Sequence, residues 1–258
     1  MRIFNDYLDL NEGQILHIRL GTLRLHIARL LQEWQITQTF EQPDLNRTEC
    51  VADYRVPSAT PPFRYAVGQS GARLDILPRM APLPVVVRPF SPILVAPGTH
   101  ITMFCSTSLW LDVSLPGEGQ PAHHEVPVRE ETETWFGPTP MEGELCYAVK
   151  TLARLYLDAV SRSHGRVLTC MHIYNQASKA ISVDRICLPV PYLSLYEDDQ
   201  GFLCTNDVSV ELNEERKEAE LTLRSRPWHH LGTVRKVAEP RIQSQTSRLK
   251  RVLGRWLQ

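Results

Sequence analysis

Apolar and polar residues alternate with a period of two over much of the chain. In the segment GTLRLHIAR, leucine and isoleucine residues alternate with Arg24 and His26. This alternation is typical of a β-strand that buries one face and exposes the other. The segment EWQITQTF has a strand-like pattern and is predicted to be the next strand, after a turn near Gln32.

Six later segments are also predicted to be strands. Each is a run of β-branched, aromatic or alternating residues bounded by Gly, Pro, Asn or Asp. The segments are HITMFCSTSLWLDVSL, GELCYAVKTLAR, GRVLTCMHIYNQ, AISVDRICLPV, YLSLYEDDQGFLCTNDVSVEL and EAELTLRS. Within the fifth, YEDDQGFLC is predicted to be a tight hairpin in which Gly201 adopts a positive φ. The sequence therefore predicts an all-β fold of antiparallel sheets packed as a sandwich.

A proline-rich section suggests where the chain divides. Six prolines fall between residues 78 and 97. Proline excludes helix there and favours edge segments and connections. We predict a smaller N-terminal β unit over residues 1–80, a larger β-sandwich over 81–225 and a basic C-terminal arm over 226–258.

The net charge of −1 hides a strong asymmetry along the chain. From Arg224 onward there are nine Lys or Arg residues and one acid, Glu239, a net charge of +8. The preceding residues hold 19 basic and 28 acidic groups, a net charge of −9. Such an arm suggests an anionic surface or an acidic partner. Nucleic acid is disfavoured as the partner, because the body is acidic and no basic stripe crosses the predicted strands.

The segment SRLKRVLGRWLQ is predicted to be a short amphipathic helix with Ser247 as its N-cap. At 100° per residue its apolar side chains fall within an arc of about 140°. We predict that the helix contacts a partner or a membrane through Arg248, Leu249, Lys250, Arg251, Val252, Leu253, Arg255, Trp256 and Leu257. A helix that packs on the protein's own sheet is the alternative. If the helix is a separate anchor, removing residues 247–258 should abolish association and leave the melting temperature nearly unchanged.

One such helix is a weak anchor. Four cations at about 1 kcal/mol each contribute about 4 kcal/mol at an anionic membrane surface, which corresponds to a dissociation constant near 1 mM. The arm therefore needs several copies on a homo-oligomer, or a groove in a protein already held at the membrane.

The sequence contains no motif that indicates catalysis. GxSxG, phosphate-binding glycine loops and HExxH are all missing, so we predict that the protein is not an enzyme. An active site assembled only in the fold stays open. We assign the acidic run Glu197, Asp198 and Asp199 to hairpin-turn chemistry rather than to calcium binding.

We expect neither a bound metal nor another cofactor. The six cysteines include no closely spaced pair and are predicted to be buried free thiols. His123 and His124 are predicted to be exposed in a loop rich in glycine and proline.

The segment TWFGPTPMEGEL contains two adjacent aromatic residues, Trp135 and Phe136. We predict a tight corner in which these rings close the end of the sandwich. The alternative is an aromatic ligand-binding site. Adjacent residues on a strand face opposite ways, which disfavours a platform of two rings.

The N-terminus places three acids among its first twelve residues, where a signal peptide would need an apolar run, so we expect a cytoplasmic protein. No stretch approaches the length of a membrane-spanning helix.

Several motifs resemble one known family. They are GTLRLHIAR followed by Trp34, then SPILVAPGTHITMFCSTSLWLDV, TWFGPTPMEGELCY, IYNQASKAISVDRICLPV and LYEDDQGFLCT. Together they resemble the uncharacterised family named domain of unknown function 432, over residues 20–225. The resemblance implies no activity and no catalytic residues.

Members of that family often accompany genes for small mechanosensitive-type channels. The resemblance therefore implies an integral membrane channel as partner, with the anionic membrane surface as a secondary contact. We expect a non-enzymatic accessory protein at the inner face of the membrane. A ligand-binding or sensor domain is the second interpretation, and an enzyme is the third.

Overall fold

The computed structural model describes most of the chain. The described residues are 8–42, 47–51, 61–66, 71–117, 119–137, 139, 141–213, 218–227, 231–244 and 248–252.

Strands are the main element of the described chain. They are β1 (Leu8–Asp9), β2 (Ile15–Leu20), β3 (Leu23–Arg29), β4 (Glu33–Phe40), β5 (Arg47–Val51), β6 (Phe63–Ala66), β7 (Arg73–Arg79), β8 (Val85–Pro89), β9 (Ile93–Val95), β10 (His100–Ser108), β11 (Trp110–Leu115), β12 (Ala122–Pro127), β13 (Thr132–Phe136), β14 (Glu144–Ala153), β15 (Arg166–Asn175), β16 (Ile181–Val183), β17 (Ile186–Leu188), β18 (Leu195–Asp198), β19 (Leu203–Thr205), β20 (Val208–Leu212), β21 (Glu218–Leu223), β22 (Val234–Ala238) and β23 (Arg248–Val252).

The prediction of an all-β fold is confirmed. Within the described ranges no α-helix occurs, and two 3-10 turns span Leu157–Ala159 and Val190–Tyr192. No helix in those ranges is long and apolar enough to cross a membrane.

The chain divides into two compact units that are not consecutive segments. The first unit comprises Met1–Arg79 and Leu109–Glu130, and the second comprises Met80–Ser108 and Glu131–Gln258. The sequence placed a division near residue 80, but it did not foresee the return of Leu109–Glu130 to the first unit. The described residues of the basic arm fall within the range of the second unit.

The first unit contains two antiparallel sheets, with strand orders β1-β7-β11-β12 and β5-β2-β3-β4-β6. GTLRLHIAR forms β3, and Leu23, Leu25 and Ile27 on it are fully buried, as its alternation predicts. Arg24 lies on the other face but is also buried. Its guanidinium donates to three backbone carbonyls and forms an ion pair with Glu41 at 3.3 Å.

His124 joins the two sheets of the first unit. The prediction that His123 and His124 lie in an exposed loop is wrong, because both are on β12 and His124 is buried. One ring nitrogen of His124 is 2.8 Å from the Tyr65 hydroxyl and the other is 3.1 Å from Gln38 Oε1. Those partners lie on β6 and β4, distant in sequence, so a local pattern could not reveal them. Burial lowers the pKa of His124, which favours the neutral ring.

The main sheet of the second unit forks. On one side of β15, strand β10 pairs with it along the whole length of β10. On the other side β15 pairs in parallel first with β19 and then with β20. The first branch continues through β18 to β22, and the second continues through β21 to β23. The parallel pairs differ from the purely antiparallel sheets that the sequence predicted.

The predicted hairpin at Gly201 is confirmed. It connects β18 with β19, and Gly201 has a φ of 81°. Asp198 Oδ1 accepts hydrogen bonds from the amides of Gln200 and Phe202, at 3.0 and 2.9 Å. Its other oxygen accepts from Arg162. Turn chemistry thus explains the acidic residue at this position, as expected.

A second sheet of this unit has the order β13-β14-β8-β17. The expectation that the proline-rich section forms edges and connections is wrong for β8, which lies between β14 and β17. It is also wrong for β7, which lies between β1 and β11 although it contains Pro78. Strand β1 pairs only with Arg73 and Leu74, so Pro78 lies outside that ladder.

The predicted C-terminal helix is wrong for the part that the structure describes. Residues Arg248–Val252 form strand β23, antiparallel to β21. Leu249 pairs with Leu221, which is buried. The helical pattern is short, and pairing with a distant strand overrides so weak a preference. Residues Leu253, Arg255, Trp256 and Leu257 lie outside the described residues.

Candidate functional site

A tight corner connects β13 with β14, and it lies just before a cluster of two thiols and a carboxylate. The chain leaves β13 at Phe136 and returns at Glu144 on β14, its register partner. Gly137 and Gly143 cross so closely that a Cβ on Gly137 would lie 2.1 Å from the carbonyl oxygen of Glu142. A Cβ on Gly143 would lie 2.6 Å from the carbonyl oxygen of Phe136. Only glycine fits at either position, so the corner is fixed by its sequence.

Trp135 and Phe136 face opposite ways, as expected of neighbours on a strand. Phe136 is buried, with the Arg185 guanidinium 5.2 Å from its ring centroid. Trp135 is 45% exposed, and its indole N–H donates to the carbonyl of Thr139 at 3.0 Å. The structure therefore does not form a two-ring platform from these residues, and only Trp135 offers an exposed ring.

Two thiols and a carboxylate meet just after this corner. Cys146 Sγ and Cys187 Sγ are 3.6 Å apart, and the Cys187 thiol donates to Glu144 Oε1 at 3.4 Å. Both cysteines are buried, and Glu144 is half-buried. These three ligand atoms all lie within 4.8 Å of one another, close enough to share a metal ion.

A second cluster lies where the main sheet forks. Between β19 and β20, Asn206 and Asp207 carry the chain from one branch to the other, and both are buried. Asn206 is held by the amide of Ser194 and the carbonyl of Arg224, at 3.0 and 2.8 Å. The Thr205 hydroxyl donates to the hydroxyl of Thr169 on β15 at 2.9 Å. Between the β19 and β20 ladders, these side-chain hydrogen bonds hold the chain beside β15.

Asp207 lies beside Cys170 and His172 at this fork. His172 Nε2 is 3.0 Å from Asp207 Oδ2 and 3.7 Å from Cys170 Sγ. The other ring nitrogen of His172 is 3.3 Å from the Thr102 hydroxyl. A Cys-His-Asp relay needs the thiol and the carboxylate at opposite ring nitrogens. Here one nitrogen faces both groups, so the cluster is not arranged as a relay.

The prediction of buried free thiols is confirmed for five cysteines: Cys105, Cys146, Cys170, Cys187 and Cys204. Burial raises the pKa of Cys105 to about 12 and that of Cys204 to about 12. Burial raises the pKa of Cys170 as well, and the Asp207 charge adds to the effect. These three thiols are poor nucleophiles at neutral pH. The side chain of Cys50 lies outside the described residues.

The second branch of the main sheet carries a polar row. Paired residues share a face, so Thr102, His172, Ser209 and Thr222 form one row that ends at the register position of Arg248. The adjacent row comprises His100, Tyr174, Glu211 and Glu220, and it ends at the register position of Lys250.

Arg224 connects the two polar rows by hydrogen bonds. Its guanidinium donates to the Ser209 hydroxyl at 3.0 Å and to the Tyr174 hydroxyl at 3.2 Å. This face therefore presents polar groups from β10 to β21, and the branch ends on β23, whose sequence contains three cations.

The structure describes only five of the nine predicted partner-binding residues. Arg248, Leu249, Lys250, Arg251 and Val252 form β23, while the remaining four lie beyond the described residues. The sequence missed both ligand clusters. Cys146 and Cys187 are 41 residues apart, and Asp207 is 35 residues from His172, so a search for closely spaced ligands could not reveal them.

Comparison with known families gives one match. A family described as "Protein of unknown function (DUF432)" matches residues 3–254. The match confirms the family resemblance and extends it from residues 20–225 to nearly the whole chain, including most of the basic arm. No curated protein and no solved structure matches the chain.

Proposed function

The chain belongs to the DUF432 family of proteins of unknown function, and from that premise we propose that it acts by binding, as a non-enzymatic accessory protein of a membrane channel. The channel, of the mechanosensitive type, is the partner that the family resemblance implies. The contact is made by the basic arm at the inner face of the membrane.

The observation that carries the proposal is the position of β23. This strand ends the second branch of the main sheet and contains Arg248, Lys250 and Arg251. A strand at the edge of a sheet offers a row of backbone groups to a partner chain, and cations beside it select acidic partners. The arm therefore supports binding as a sheet edge rather than as a helix.

The charge distribution supports the same role. The arm has a net charge of +8 from Arg224 onward, and the remaining residues have a net charge of −9. An acidic body is repelled by an anionic leaflet, so attraction is confined to the arm and orients the protein. Each cation near such a surface contributes about 1 kcal/mol. A single copy binds weakly, and assembly into a homo-oligomer would strengthen the attachment.

The described chemistry favours binding over catalysis. At the fork, the geometry around His172 does not form a relay, and burial keeps Cys170 protonated at neutral pH.

Binding to a reconstituted channel tests the proposal. A small mechanosensitive-type channel is held in nanodiscs of neutral lipid, and the full chain is titrated against it. The variant Arg248→Gln/Lys250→Gln removes two cations from β23. If each forms an ion pair with the channel worth up to about 1 kcal/mol, binding weakens by up to about 30-fold.

The matched control removes two cations from the other branch. Arg235 and Lys236 lie on β22, where they pair with Glu197 and Glu239. The variant Arg235→Gln/Lys236→Gln should lose much less channel binding than the β23 variant, because its two cations are already paired with acids. Equal loss in both variants would indicate general charge attraction, and no loss in the β23 variant would overturn the proposal. Binding to anionic vesicles without the channel would assign the contact to lipid.

A ligand-binding role at Trp135 is the second candidate, favoured by a ring that is 45% exposed and fixed by its bond to Thr139. An aromatic ring of this kind binds flat apolar faces, such as those of sugars. Quenching of tryptophan fluorescence by a panel of oligosaccharides, lost in Trp135→Ala, would support it.

A further inference from the structure

Glu144, Cys146 and Cys187, called here the thiol–carboxylate cluster, have no part in channel binding as proposed above. Glu144 and Cys146 share one face of β14, and Cys187 lies on β17. Between these strands runs β8, so the two thiols approach each other across an intervening strand. This arrangement places three metal-ligating side chains, two thiols and one carboxylate, around one point.

The separations in the cluster suit a zinc ion. Tetrahedral zinc with bonds of about 2.3 Å to sulfur and 2.1 Å to oxygen holds two sulfurs about 3.8 Å apart and a sulfur and an oxygen about 3.6 Å apart. The corresponding distances are 3.6 Å between Cys146 Sγ and Cys187 Sγ, and 3.4 Å between Cys187 Sγ and Glu144 Oε1. For these two pairs, shifts of a few tenths of an ångström would accommodate the ion, and the third pair, Cys146 and Glu144, lies within 4.8 Å.

The same geometry disfavours a disulfide. Cys146 and Cys187 lie on strands that flank β8, and two strand spacings correspond to about 9 Å between Cα atoms. A disulfide requires Cα atoms within about 7 Å. A metal ion between the sulfurs adds two metal–sulfur bonds to the span and bridges it without moving β8.

The cluster is held in place before any ion arrives. Glu144 is fixed by pairing with Phe136 and by the glycine crossing of the corner. Cys187 is fixed by pairing with Val86 on β8. Ligands on paired strands lose little freedom on binding, which favours affinity. Glu144 is half-buried, so the cluster is partly exposed to solvent at this residue.

We propose that Cys146, Cys187 and Glu144 bind one Zn²⁺ ion, with a fourth position open to water or to a small ligand. Two thiolates select zinc over Mg²⁺ and Ca²⁺, which prefer oxygen. Binding releases the two thiol protons to solvent, and the carboxylate of Glu144 is the third ligand. The ion ties β14 to β17 across β8.

The cluster at the fork is a weaker candidate. It offers only one sulfur, and its carboxylate and imidazole already form a hydrogen bond of 3.0 Å. His172 and Cys170 therefore provide the matched controls.

Cobalt substitution tests the site, because Co²⁺ bound to thiolate has a charge-transfer absorption that reports sulfur ligation. The full chain is reduced, stripped with a chelator and titrated with Co²⁺ and then with Zn²⁺. One equivalent of Co²⁺ should produce the band and one equivalent of Zn²⁺ should remove it. Cys146→Ser and Cys187→Ser should each abolish or strongly reduce the band. Glu144→Gln should keep it and weaken binding at least about tenfold, the loss typical even of outer-shell partners.

The controls Cys170→Ser and His172→Asn should bind as the native chain does. A band that survives Cys187→Ser, or that is lost in His172→Asn, would overturn the assignment, as would the absence of any band. If a cysteine variant does not fold, Zn²⁺ protection of the native chain from alkylation gives the answer. Protection must map to Cys146 and Cys187 by mass spectrometry, and protection elsewhere refutes the site. Channel binding is measured separately, so failure of one proposal does not affect the other.

Discussion

Replacing His26 with glutamine is expected to make the first unit less sensitive to acid. His26 lies on β3, and its ring meets that of His17 on β2 edge-on at 4.6 Å. Its Nδ1 is buried and has no hydrogen-bond partner among the described residues. Burial, followed by the nearby charges of His17 and Arg19, lowers the pKa of His26 to about 4, although Glu41 acts in the opposite direction.

The sign of the effect follows from proton binding. The unfolded chain protonates His26 below its ordinary pKa of 6.5, whereas the folded chain does so only near 4. The unfolded state therefore binds more protons in this interval, and stability falls as the pH decreases from 6.5 to 4. Between pH 7 and pH 5 these pKa values give about 2 kcal/mol, which we halve to about 1 kcal/mol because the ring is partly exposed.

Urea unfolding followed by circular dichroism at pH 7, 6 and 5 measures this loss. The native chain should lose about 1 kcal/mol more than His26→Gln between pH 7 and pH 5. His100→Gln is the control, since His100 is exposed and stacks on Tyr174 at 5.3 Å. An equal pH dependence in the native chain and in His26→Gln would refute the reasoning.

Three further comparisons, with five variants, test the fold by urea unfolding. Deleting 248–252 removes the ladder partner of β21 and should lower stability by roughly 2 kcal/mol; an unchanged stability would argue against β23. Gly137→Ala places a Cβ 2.1 Å from a carbonyl oxygen and should destabilise by about 1–3 kcal/mol. Gly119→Ala meets open space and should cost less than about 0.5 kcal/mol. Phe136→Ala should cost about 3–5 kcal/mol and Trp135→Ala about 1 kcal/mol, because only Phe136 is buried. Similar losses of stability in the two aromatic variants would contradict the observation that Phe136 is buried and Trp135 is exposed.

Local patterns predicted the strands that bury one face. Leu23, Leu25 and Ile27 identify β3 because alternate residues of a strand share a face. The hairpin at Gly201 was predictable for a similar reason, since the turn and its glycine are adjacent in sequence. In both cases the physical cause lies within a few residues.

Features that depend on distant partners were not predictable. The residues of β23 satisfy a helical pattern, and only the pairing of Leu249 with Leu221 decides for a strand. His124 is buried because Tyr65, 59 residues earlier, reaches its ring. The thiol–carboxylate cluster likewise forms only when β14 and β17 flank β8. A single sequence contains these residues but not their proximity.

The forked sheet has a consequence for the order in which the protein can be made. Strands β22 and β23 are the last of the described strands to leave the ribosome, yet each covers an edge formed by strands translated before it. A nascent chain that has reached residue 227 has completed β18 and β21 with neither edge covered. Two uncovered edges on one emerging domain can pair with a neighbouring nascent chain on the same message. Strands β22 and β23 then become the edges of the sheet, and both carry cations, so charge repulsion hinders the pairing of these new edges between copies.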